Sequence, residues 1–170
     1  MIRKSSADSP HKLLKLQKDI VLYLQHVPSP VSIDTLIKLS GYSIVDVLNI
    51  LEDLRKKRLV SEREERGKGI YFADISKLME LTRNNVSDEE TKQVLKRIID
   101  FYMNSPSKDS GSSLVLAPLF LELQDIGEGA THVRQAADLL NKGGQVQQAA
   151  MYYEALLRYF KTHKLASRDV

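Results

Sequence analysis

The sequence predicts a mainly α chain: a helix-turn-helix unit closed by a small β-hairpin, then a region of helical hairpins. Three observations lead there. Apolar residues recur at three- and four-residue steps over most of the 170 positions. Capping residues stand just ahead of several of those runs. One charged stretch with two glycines, residues 64–69, separates two short β-prone segments.

Ser9-Pro10 opens the first helix, with Ser as N-cap and Pro at the first helical position. Leu13, Leu14, Leu16, Ile20, Val21 and Leu24 follow at helical spacing, and Pro28 and Pro30 end the run. Ser32 caps a short helix carrying Ile33, Leu36, Ile37 and Leu39, and Gly41-Tyr42 makes a tight turn. Ser43 caps the third helix, with Asp46 completing a loose capping box. Its spacing predicts one buried face of Ile44, Val47, Leu48, Leu51 and Leu54. Arg55-Lys56-Lys57-Arg58 closes it, where cations suit the helix dipole. Leu59 to Arg63 reads as a strand, Glu64 to Gly69 as a charged loop, and Ile70 to Ile75 as the return strand. This order looks like a winged helix-turn-helix over about residues 11–76.

The remainder reads as helical. Ser87 to Glu90 is a capping box ahead of Val94, Leu95, Ile98, Ile99 and Tyr102. Residues 105–113 form a polar, serine-rich loop. An apolar segment runs from Leu114 to Gln124, and Ile126 to Gly129 reads as a turn. A helix covers Ala130 to Lys142, Gly143-Gly144 breaks it, and a last helix covers Gln145 to Lys161. This final pair resembles a tetratricopeptide-type hairpin. Gly144, Ala149, Tyr153 and Leu156 fall where such repeats bring helices close, Val133 takes the usual tryptophan place, and no terminal proline follows. The domains expected are a flexible tail (1–10), a winged helix (11–76), a helical connector with the serine-rich loop (77–113) and a tetratricopeptide-like region (114–170).

Charge bears on the choice of partner. The net charge is +3, from 25 basic and 22 acidic residues. Residues 1–82 carry 14 basic and 11 acidic side chains and residues 83–170 carry 11 of each, so the surplus lies in the first part. From Ser43 through Leu54 the third helix has Asp46, Glu52 and Asp53 and no basic residue, so phosphates flanking a major groove would repel it. A DNA-binding reading would use Asn49 on a base edge. It would set Arg55, Lys56, Lys57, Arg58, Arg63, Arg66 and Lys68 on phosphates. Glu62, Glu64 and Glu65 are interleaved with those cations, so a solvated, salt-bridged hairpin is the competing reading.

Other chemistry finds little support. The chain has no cysteine, hence no disulfide frame or thiolate site. No phosphate-loop, H-E-x-x-H or G-x-S-x-G pattern occurs, and His11, His26, His132 and His163 share no metal-ligand spacing. No catalytic residue, cofactor or metal is expected. The run of apolar residues never approaches the ~20 that span a bilayer, so no membrane partner is expected and a cytoplasmic location is. Tyr152, Tyr153, Tyr159 and Phe160 form an aromatic strip that either packs within the last hairpin or offers an edge to a partner.

The whole order of parts resembles one region of the STAND regulatory ATPases. In that family a winged helix follows the nucleotide-binding domain and precedes a superhelix of tetratricopeptide-like repeats. The similar stretches are Ile50 to Val60, Tyr71 to Glu80, Ser87 to Tyr102, Leu114 to Leu123 and Ala136 to Phe160. The resemblance implies a winged helix that contacts protein and does not read DNA, in a signalling or transcription-control protein. Two departures stand out. The chain lacks a phosphate loop, and Ala73-Asp74 occupy the place where the family often carries a nucleotide-sensing histidine. The expected function is therefore a non-catalytic segment for protein–protein contact, the alternative being a DNA-binding regulator with a helical dimerisation tail. A single tetratricopeptide-like hairpin buries its faces poorly. The 170 residues are thus expected to be a piece of a longer chain or a protein that completes its helical layer by self-association.

Overall fold

The computed structural model describes residues 10–65, 67–104 and 111–166. Ser9 and the rest of the N-terminal tail, Arg66, residues 105–110 and residues 167–170 lie outside them. The chain is mainly helical with one small antiparallel sheet, and it divides into two compact units, residues 1–94 and 95–170. No described helix is long and apolar enough to cross a membrane.

In the first unit, helix α1 (Pro10–His26) is buried on all sides along Ile20, Val21, Leu22, Tyr23 and Leu24. It can be so because its polar groups find partners: Tyr23 donates to the Leu39 carbonyl at 3.1 Å, and the buried Asp19 accepts from Tyr42. Strand β1 (Val31–Ser32) leads into α2 (Ile33–Ser40), where the Ser32 hydroxyl accepts the Thr35 N–H. Gly41, at φ +68°, ends α2 with its N–H on the Ile37 carbonyl. Helix α3 (Ile44–Lys56) is capped by Ser43 as expected. Strands β2 (Val60–Glu65) and β3 (Lys68–Ala73) pair from Val60↔Ala73 to Glu65↔Lys68, and β3 also pairs with β1, giving the order β1-β3-β2.

The hairpin departs from the sequence reading at both ends. Pairing extends through Glu64 and Glu65 as far as Glu65↔Lys68, and Gly67 takes φ +75°. The charged loop expected over 64–69 is therefore mostly strand. The return strand stops at Ala73, not Ile75, because the Asp74 carboxylate accepts the Lys77 N–H and starts α4 (Ile75–Arg83). Gln25 of α1 donates to Thr82 of α4 at 2.9 Å. Helix α5 (Asp88–Met103) begins with the reciprocal box: Ser87 N–H to Glu90 at 2.8 Å and Glu90 N–H to the Ser87 hydroxyl at 3.2 Å.

The second unit packs α7 (Ile126–Lys142) against both α6 (Gly111–Leu123) and α8 (Val146–Ala166). Three expectations change in this unit. Residues 126–129, read as a turn, are the first turn of α7. Gly127 and Gly129 sit inside it because the neighbouring helices press so close that a Cβ would lie 2.4 Å from the Tyr159 hydroxyl and 2.3 Å from Phe120 respectively. Ser112 and Ser113, read as loop, belong to α6, and Ser113 is buried because its hydroxyl is satisfied from α7. Gly144 has open space around it and serves the turn instead of a helix crossing. At φ +78° it lets the Gln145 N–H reach back to the Leu140 carbonyl at 2.8 Å.

Candidate interaction surfaces

Helix α3 buries Val47, Ile50, Leu51 and Leu54. Ile44 and Leu48, expected in that face, are 53% and 42% exposed, and Val45 beside them is 61% exposed. The reason is rotational. The helix turns Ile50 inward, and Ile44 and Leu48 then lie about 70° and about 110° round the helix from the centre of the buried face. The outward N-terminal face of α3 thus carries three apolar side chains, with the Glu52–Arg55 pair one to two turns on along the same face and Asn49, Asp46 and Asp53 further round the helix.

The cations proposed for phosphate are mostly engaged elsewhere. Arg55 reaches Glu52 at 2.7 Å and Glu62 at 2.9 Å, and Lys56 lies 3.9 Å from Glu52. Lys68 pairs with Asp34 at 3.4 Å, tying the hairpin to α2. Arg63 lies over the Phe72 ring, 5.4 Å from its centroid. Lys57 and Arg58 are exposed at the end of α3. Arg58 holds φ +57°, so its neighbour Leu59 can donate to the Leu54 carbonyl. Arg66 lies outside the described residues. Exposed pairs of this kind add little stability but cancel field at a distance. Glu62 also accepts from Tyr71 at 3.1 Å, and burial together with this bond pushes the Tyr71 hydroxyl up to about 12. Glu62 thereby joins the end of α3 to the hairpin.

In the second unit, the aromatic strip divides. Tyr152 is buried, Tyr153 donates to Asp138 of α7, and Tyr159 lies over Gly127. Phe160 is 49% exposed, the one ring of the four with most of an outer face open. Met151 and Leu157 on the same helix are 67% and 58% exposed. Sequence reasoning treated these as ordinary helix positions; their exposure depends on where α7 lies.

A cavity of about 570 Å³ opens beside α6 and α7, with Tyr102, Ser113, His132, Gln135 and Asp138 among its lining residues. The Ser113 hydroxyl donates to Gln135 Oε1 at 2.7 Å and lies 3.2 Å from His132 Nδ1. With its one proton on the amide, Ser113 can only accept from His132, so the imidazole is not placed to take that proton. Burial lowers the His132 pKa, and the ring stacks on Phe120 at 6.0 Å. The sequence carried no signal of this Ser-His-Gln cluster beyond the i, i+3 spacing of His132 and Gln135. Among the described residues no cluster of His, Asp or Glu could hold a metal ion.

Searches against protein-family models, curated proteins and solved structures found no match to this chain.

Proposed function

We propose that this chain is a non-catalytic regulatory segment, a winged helix followed by a tetratricopeptide-like region, that works through protein–protein contact in a signalling or transcription-regulating protein of STAND type. The element order α1-β1-α2-α3-β2-β3 with sheet order β1-β3-β2 supports the winged-helix part. The short connections and close crossings of α6, α7 and α8 support the helical part.

The observation that carries the functional reading is the outward face of α3. Ile44, Val45 and Leu48 gain nothing from a water-filled groove lined by phosphates, and the acids of the helix, Glu52 on that face and Asp46 and Asp53 round from it, are repelled there. The same face against an apolar protein surface removes three large side chains from water. Docking is rigid-body, with the capped α3 as the presented element.

The experiment pairs two measurements. Anisotropy with random-sequence duplex DNA at about 50 mM salt should show no binding; salt-sensitive binding lost in Lys56→Ala/Lys57→Ala would establish the DNA-binding regulator instead. A photo-reactive residue at Leu48 should cross-link a discrete protein in cells, and one at Glu80 should not; equal labelling from both positions would remove the α3 face from consideration.

A further inference from the structure

Helix α8 carries two apolar seams. The inner one is Ala149, Tyr152, Leu156 and Tyr159, at alternating steps of three and four, and it packs toward α7. The outer one repeats the pattern one position on: Val146, Ala150, Tyr153, Leu157 and Phe160, at steps of four, three, four and three. These five lie within about 80° of the helix circumference. Val146, Leu157 and Phe160 are 60%, 58% and 49% exposed. A 3.5-residue repeat is the spacing at which a second helix keeps its knobs in register along the whole contact.

We propose that the outer seam of α8 is the contact for the same seam of a second copy of this chain, in an antiparallel, two-fold pair. The flanking charges favour that occupant. On the side of the seam away from α7 stand Glu154 and Lys161, seven residues and about 10 Å apart along the axis. An antiparallel pair brings this flank against its own copy. With the two-fold beside Leu157 and Arg158, each Glu154 faces the other copy's Lys161, and Leu157 and Phe160 fill the centre. Glu154 also lies 3.4 Å from Arg158 in its own helix, an exposed pair that water and a partner can both replace. A single helix–helix contact falls below about 1,000 Å² of buried surface, so the dimer is a weak one. This surface is separate from the α3 face, so either can fail without the other.

Sedimentation equilibrium of the full chain should show a monomer–dimer equilibrium with Kd on the order of 1–100 µM. Leu157→Asp should weaken it at least about tenfold with the helical circular dichroism unchanged, since the position is exposed. Glu154→Lys should weaken it several-fold, and Glu154→Lys/Lys161→Glu should recover it. Because the chain has no cysteine, Leu157→Cys supplies a single thiol that should cross-link the pair on mild oxidation, and Met151→Cys should not. A strict monomer at about 200 µM overturns the proposal, as does a dimer indifferent to Leu157→Asp or one that cross-links equally from Met151→Cys.

Discussion

Among the described residues, three helices end on a residue in the left-handed region that lets the next N–H reach back five residues, and the residue differs each time. Gly144 does so after α7, Arg58 after α3 and Gln124 after α6, at φ +78°, +57° and +59°. For a residue with a Cβ that conformation costs about 1–2 kcal/mol, partly returned by the smaller entropy it has to lose. Gly144→Ala should therefore lower stability by about 1 kcal/mol, and Arg58→Gly should be neutral or raise it, as read from urea midpoints. Gly129 tests packing in place of backbone freedom. Its missing Cβ would meet Phe120 at 2.3 Å, and Phe120 is buried, so Gly129→Ala should cost about 1–3 kcal/mol. Tyr71 sets a pH dependence. Up to its ordinary value of 10.0 the hydroxyl keeps its proton folded or unfolded; from there to about 12 only the unfolded chain releases it. Stability should fall across that window, and less steeply in Tyr71→Phe, measured as urea midpoint against pH.

Among the elements, α3 and α5 show how a helix is specified and how much of its environment is not. The box at Ser87 and Glu90 was legible because both partners lie within one turn. Its bonds from the Ser87 N–H and hydroxyl hold the Glu90 carboxyl below its usual range, helped by Lys18 at 3.3 Å. That contribution is present at neutral pH and is lost as pH falls through the lowered value; Ser87→Ala should cost about 1 kcal/mol at pH 7. For α3 the apolar spacing named Val47, Leu51 and Leu54 correctly and misplaced Ile44 and Leu48. Periodicity marks a stripe but does not place its edge; the edge is set by where α1, α2 and the hairpin stop covering it. The double variant Ile44→Asp/Leu48→Asp should leave the thermal midpoint nearly unchanged, whereas Leu51→Ala should cost about 2–5 kcal/mol.

Across the whole molecule, the helix-rich class, the capped starts of α2, α3 and α5, and the pairing of two β segments depend on neighbours a few residues apart, and the chain alone declares them. The excess of +3 likewise placed itself in the first part by counting. The engagement of the charges did not. Lys68 with Asp34, Arg55 with Glu62 and Arg63 on Phe72 join residues that only the β3 register and the end of α3 bring together. The glycines of α7 read as a turn because glycine is usually punctuation; two neighbouring helices made them spacers. The aromatic strip of α8 was visible as spacing, and α7 divided it into an inner seam and an outer one. Local bonds and helical period travel with the chain, so the sequence settled them. Which face meets water follows from contacts between residues distant in the chain, and those exist only once the units have packed.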